Sequence, residues 1–194
     1  MLKKLYSFLL AMTMVSSVAQ AKDYLIDGAH SSANFKIRHL ISKTAGTFSD
    51  FSGEFSFDEK SPKNFKGEFV IKASSINTNN AKRDEHLRGA DFFAVDKHPT
   101  LSFKSKEFRP AAKGKYKLIG DFTMLGVTKP VTFEVEYTGA GKDPWGTEKV
   151  GFVATTKINR KDWGMVWNKT LDTGGIMLGD EVEIEVNVEG NAKK

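Results

Sequence analysis

Apolar and polar residues alternate with a period of two along most of this chain. Near the C-terminus Val182, Ile184, Val186 and Val188 are separated by Glu183, Glu185 and Asn187 and flanked by Glu181 and Glu189. A helix would scatter these branched residues around its circumference. A strand puts them on one face and the acids on the other. Val131, Phe133, Val135 and Tyr137 alternate in the same way with Thr132, Glu134 and Glu136. So do Phe51, Phe55 and Phe57 with Glu54, Ser56 and Asp58, and Leu118, Phe122 and Met124 with Lys117, Asp121 and Thr123. The pattern predicts strands near 23–27, 32–39, 47–58, 65–74, 99–107, 115–125, 130–139, 149–159 and 180–189.

Glycine and proline punctuate the series. Ser61-Pro62, Ala112-Lys113-Gly114, Gly126, Gly139-Ala140-Gly141 and Asp143-Pro144-Trp145-Gly146 read as turns. Strands with one polar face belong in antiparallel sheets, and a long series joined by short turns makes a sandwich or a barrel. The stretch from Asn79 to Ala94 breaks the alternation; it is charged and contains helix formers, so it reads as one short helix within a long crossing loop.

The apolar rows carry most of the 15 phenylalanines, and glycines sit among them. Gly53 lies between Phe51 and Phe55, Gly67 between Phe65 and Phe69, and Gly120 between Leu118 and Phe122. Such glycines could remove side-chain volume and open a tube, or simply let barrel strands bend around a filled core. If there is a tube, its candidate lining begins with Phe35, Phe51, Phe55 and Phe57. It continues with Phe69, Ile71 and Phe103, and then with Leu118, Phe122, Phe133, Val135, Phe152 and Ile184.

The first residues read as a targeting segment. Lys3 and Lys4 precede an apolar run from Leu5 to Val18, and Ala19-Gln20-Ala21 is a small-x-small cleavage site. The expected organisation is a signal peptide over 1–21 and one exported domain over 22–194. Loss of Lys3 and Lys4 lowers the net charge from +5 to +3. The lysines are spread among glutamates rather than blocked together, which argues against nucleic acid as a partner. There is no cysteine, so thiol catalysis, thiolate metal sites and disulfides are all excluded. No second segment is apolar enough to insert the mature chain stably in a membrane, and homo-oligomerisation is left open.

The chemistry-bearing residues are few. His30, His39, His86 and His98 show none of the local spacings of a zinc site, so no metal and no cofactor are expected. Arg83-Asp84-Glu85-His86 resembles acid–base equipment and supports the rival reading of a hydrolase or metal-dependent enzyme. A solvated helix with local ion pairs explains the same residues. So does a set of polar groups at a tube mouth that hold the head of a bound lipid. Arg83, Asp84, His86, Arg160 and Asp162 are therefore candidates either for head-group contact or for pinning the helix to the barrel.

An ordered series of motifs resembles the YceI-like polyisoprenoid-binding family. It opens with Tyr24-Leu25-Ile26-Asp27 and His30-Ser31, and continues through Gly46-Thr47-Phe48, Phe51-Ser52-Gly53 and Ser75-Ile76-Asn77-Thr78. Arg83-Asp84-Glu85-His86-Leu87, Asp91-Phe92-Phe93 and His98-Pro99-Thr100-Leu101-Ser102-Phe103 follow. The segment from Gly120 to Val131, then Asp143-Pro144-Trp145-Gly146 and the segment from Ile158 to Gly164, close the set. Trp163 and Ala90 are small departures from that pattern. The resemblance implies an all-β fold, an extended antiparallel eight-stranded lipocalin-like barrel with one short helix in a long loop. It also implies a periplasmic carrier or store, not an enzyme, with an isoprenoid or other long apolar lipid inside the barrel. A lipid-free structural or stress-response module is the remaining alternative.

Overall fold

The computed structural model describes residues 21–170 and 175–193, so the expected signal segment lies, apart from Ala21, outside the described residues. The described residues include eleven strands, most of them from the alternating segments. The first six are β1 (Lys22–Ile26), β2 (Ser32–His39), β3 (Ser42–Phe48), β4 (Phe51–Phe57), β5 (Lys66–Lys72) and β6 (Ile76–Asn77). The helix α1 (Ala81–Arg88) comes next. The last five strands are β7 (Thr100–Ala112), β8 (Lys115–Met124), β9 (Val127–Lys142), β10 (Glu148–Asn159) and β11 (Leu178–Ala192).

The eleven strands join into eight staves. β11 pairs with β1 at its C-terminal end (Tyr24 opposite Ala192) and with β2 further back (Ile37 opposite Val182), so β1 and β2 are one stave interrupted by a turn. β4 pairs with β1 and β3 with β2, which makes β3 and β4 the second stave. β5 continues through a 3-10 turn into β6, the partner of β3, as the third. β7 to β11 follow in simple antiparallel order, and the β1–β11 pairing closes the ring. Closure gives every stave two neighbours, although β6 and the Ser42–Gly46 part of β3 have a strand on one side only. The fold is the all-β, closed eight-stranded antiparallel barrel with one α-helix that the resemblance implies, and one of the two architectures that the alternation left open.

Side chains segregate across the wall. Phe55, Phe103, Leu118, Phe122, Phe133 and Phe152 are buried inside. The outer face carries ion pairs such as Lys117 with Glu134 (3.2 Å) and Lys157 with Glu181 (2.8 Å). Exposed pairs of this kind add little stability. Their placement matters more, because a transmembrane barrel has the opposite arrangement, apolar outside.

One end of the barrel is solid. Phe65 stacks on Phe108 (centroids 4.7 Å apart) and Phe108 on Tyr116 (4.6 Å), while Phe57 meets Phe152 edge-on at 5.0 Å and Tyr137 at 5.5 Å. The other end is crossed by α1. This helix has no apolar stripe, so polar bonds hold it. Asp84 is buried and accepts from the Thr78 backbone N–H (2.9 Å) and hydroxyl. Arg83 donates to the same Thr78 hydroxyl (2.7 Å) and to its carbonyl (2.7 Å). Arg88 donates to the carbonyls of Ser74 (2.8 Å) and Ile76 (2.9 Å).

Two expectations need correction. Gly139-Ala140-Gly141 is not a turn; it continues β9 opposite Lys149–Gly151, with a bulge at Gly151 and Phe152. The extra residue of a bulge breaks the alternation there and looks like a turn in sequence. The inward glycines do not leave empty volume either. A Cβ at Gly53 would come within 2.6 Å of the Phe69 ring, and one at Gly67 within 2.9 Å of the same ring. A Cβ at Gly120 would overlap the Phe103 ring and the Lys104 carbonyl oxygen. Gly53 and Gly120 are each covered by a phenylalanine of the neighbouring strand, and Gly67 by Phe69 of its own strand, two residues on.

Candidate functional site

The axis of the barrel is open between the aromatic floor and α1. A cavity of about 490 Å³ runs there. This is within the usual range for a small-molecule site, roughly 300–1,000 Å³. The wall includes Phe35 from β2, Phe51 and Phe55 from β4, and Phe69 and Ile71 from β5. Phe103, Leu118 and Phe122 line it from β7 and β8, and Phe133, Val135, Phe152 and Ile184 from the last three strands. Phe57 is the exception among the expected lining residues. It is buried in the aromatic floor, below the cavity.

The rim is the polar part. His39 and Thr44 reach the cavity from β2 and β3, and Lys82, Arg83 and His86 reach it from α1. The five polar candidates do not act as one group. Asp84 faces away from the cavity into its bonds with Thr78. His86 bonds to Asp91 (2.8 Å) and packs edge-on against Phe92 and Trp167. The carboxylate and imidazole that looked like acid–base equipment are thus engaged with different partners. Asp162 is exposed on the surface. Arg83 does not pair with Asp84 or Asp162; both of its side-chain bonds go to Thr78.

Arg160 is 1 % exposed. It donates to the carbonyls of Gly179 (2.9 Å), Met165 (2.7 Å) and Trp167 (2.8 Å), with the Asp180 carboxylate at 3.4 Å. Burial pulls its guanidinium below the usual range and Asp180 opposes that, but arginine keeps its proton. Arg160 therefore organises the loop after β10. Within that loop Trp163 and Met165 are buried and Trp167 is half-buried, and Met165 and Trp167 line the cavity. The sequence carried this signal as Trp163-x-Met165-x-Trp167, a period-two row inside an apparently irregular stretch. Lys82, the residue before Arg83, carried no signal of its own.

A second polar cluster sits where the first stave bends. Ligand atoms of Asp27, His30 and Glu189 lie within 4.8 Å of one another. The Lys149 ammonium already neutralises both carboxylates, 3.1 Å from Asp27 and 2.6 Å from Glu189, and also bonds Asn191 at 2.8 Å. Hydrogen bonds from His30, and then from Lys149, the Ala29 N–H and Asn191, hold the Asp27 carboxyl well below the usual carboxylate range. The cluster fixes the seam at which β1 and β2 exchange their pairing with β11.

The same architecture occurs in known proteins. A UPF0312 protein of Vibrio parahaemolyticus is 42% identical over 197 residues and covers 100% of both chains. The crystal structure of a Campylobacter jejuni YCEI protein is 32% identical, covers 99% of this chain and 100% of its own, and superposes with a TM-score of 0.69. A polyisoprenoid binding domain from Saccharophagus degradans shares the fold at 13% identity, with a TM-score of 0.64 over 88% of this chain and 98% of that one. With the family's sequence pattern matched over residues 24–190, on the barrel and cavity just described, the chain belongs to the YceI-like domain family.

Proposed function

We propose that this protein is a periplasmic carrier or store for one long apolar lipid of the isoprenoid class. The observation that carries the reading is the apolar cavity between an aromatic floor and a polar rim. Each CH₂-type group that enters it gains about 0.8 kcal/mol on leaving water, so a chain of many such groups needs neither metal nor charge to bind. The structural relative described as a polyisoprenoid binding domain favours isoprenoids within this class.

Apolar contact is non-directional, so the rim decides which end of the lipid stays outside. Lys82 and Arg83 are the groups for a phosphate or carbonyl head, since both line the cavity at the helix that crosses it. Arg160 also borders the cavity, but its donors are spent on the carbonyls of Gly179, Met165 and Trp167, so it and Asp84 hold the rim in place instead. The apolar run from Leu5 to Val18 supports cleavage after Ala21, so the domain over 22–194 reaches the periplasm beginning at Lys22.

The test is native mass spectrometry of protein purified from its own host, followed by organic extraction. One long apolar molecule per barrel is expected. Ala154, a small residue on the cavity wall, gives the control: Ala154→Phe should exclude that molecule while leaving the far-ultraviolet circular dichroism spectrum unchanged. Full loading of Ala154→Phe would place the ligand elsewhere. Ester hydrolysis lost in His86→Ala would favour an enzyme.

A further inference from the structure

The β2–β3 hairpin ends in a turn that is unusual in two respects. His39 pairs with Ser42, so only Leu40 and Ile41 connect the strands. Leu40 adopts a left-handed conformation (φ 53°), which a tight hairpin normally gives to glycine or asparagine. Ile41 is fully exposed. A costly turn thus presents two apolar side chains to solvent. Leu125 takes a like conformation in the β8–β9 turn, but it packs against the core, whereas Leu40 and Ile41 stand in solvent.

The surroundings say what the tip meets. Leu40 donates its N–H to the Met177 carbonyl (2.8 Å), which sets exposed Ile176 beside it. Asn168 bonds both ways with Leu178, the residue opposite His39, and exposed Val166 lies in the same segment. Met165, Trp167, Met177, Leu178 and His39 all line the cavity, so these exposed residues surround its open end. From Gly28 to Ser49 the chain holds Lys36, Arg38 and Lys43 and no acid. Lys82 and Lys169 are exposed on the adjoining segments, as are Glu85 and Asp162, and Lys43 faces Glu183 at 2.6 Å.

We propose that the Leu40–Ile41 tip, with Val166 and Ile176 beside it, is a docking surface for an anionic lipid bilayer. Apolar tip residues enter the acyl boundary, and the hairpin cations meet the phosphate headgroups. Docking brings the cavity mouth to the surface that supplies or receives the lipid, so the ligand never crosses water. This inference rests on the carrier reading for its purpose, but its test is separate.

Mature protein is sedimented with vesicles of phosphatidylglycerol and phosphatidylethanolamine, and with vesicles of phosphatidylcholine alone. Isoprenoid uptake is measured apart, from detergent micelles. Binding to the anionic vesicles is expected, weakened by high salt. Ile41→Asp should reduce it about tenfold or more with unchanged melting temperature and unchanged uptake from micelles. Leu40→Asn should weaken it too, and because asparagine suits the turn the variant should melt no lower than the wild type. The proposal is overturned if the wild type ignores anionic vesicles, if Ile41→Asp binds them equally well, or if that substitution instead dissolves a dimer. Vesicle binding without isoprenoid uptake would support docking and count against the carrier. Uptake from micelles without vesicle binding would do the reverse.

Discussion

Gly120 and Phe103 show how single residues set the shape of the interior. The ring lies where a Gly120 Cβ would project, and the Lys104 carbonyl closes the same space from the backbone side. Neither neighbour can move without disturbing β7, so Gly120→Ala is expected to destabilise by about 1–3 kcal/mol, the usual cost of overpacking. Urea unfolding monitored by tryptophan fluorescence checks this; a variant as stable as the wild type would mean that the ring is free to leave the wall. Arg160 is the polar counterpart. Truncation would leave the carbonyls of Gly179, Met165 and Trp167 without their donor. Arg160→Ala should cost about 3 kcal/mol and lower the melting temperature by roughly 6–12 °C. Lipid affinity per folded molecule should hold, since Arg160 spends its recorded hydrogen bonds on the loop.

At the scale of elements, α1 is an isolated eight-residue helix, too short to persist alone. Asn80 caps its first turn by accepting from the Arg83 N–H (3.0 Å), and Asp84 ties it to the end of the third stave. Asp84→Ala would strand two Thr78 donors and should cost about 1–3 kcal/mol. Because the loss is local, hydrogen exchange should accelerate over residues 78–98 before the barrel strands respond. Uniform acceleration across the barrel would show that the helix is part of the global cooperative unit instead. Arg83→Ala is the informative companion. Asp84 keeps its bonds to Thr78 in that variant, so a loss of lipid without a matching loss of stability would mark Arg83 as a head-group contact.

At the scale of the whole molecule, stability depends on closing the ring. The β1–β11 pairing spans only three residue pairs, from Tyr24 with Ala192 to Ile26 with Gly190. The Asp27–His30–Lys149–Glu189 cluster stands at its end. Because the Asp27 carboxyl is depressed in the folded state, its contribution is present above the unfolded value of about 3.9 and is lost as pH falls below it. Wild type should therefore exceed Asp27→Asn in stability near neutral pH, and the gap should shrink as the solution is acidified through the carboxylate range. Urea unfolding across that range measures the gap; a constant difference would show that the charge of Asp27 is not what it contributes.

The alternation of Val182 to Val188 with glutamates, and of the phenylalanine rows with lysine and serine, was enough by itself to determine strands, facing and an antiparallel wall. Side-chain direction in a strand is a local property, so one sequence reveals it. The same holds for α1, whose composition breaks the period. Ser42–Gly46 carries no apolar row, and its strand exists because β2 pairs with it. Gly139–Gly141 needed β10 opposite to be seen as strand. The glycines gave the clearest division. Sequence could say that volume was missing at Gly53, Gly67 and Gly120, but not that phenylalanine rings occupy it, two of them from the paired strand and one from the same strand. Which ring meets which glycine depends on the register between paired strands, β4 with β5 and β7 with β8. A shift in the β7–β8 ladder between Ser105 and Glu107 shows that this register is decided by the pairing itself and not by either strand's own pattern.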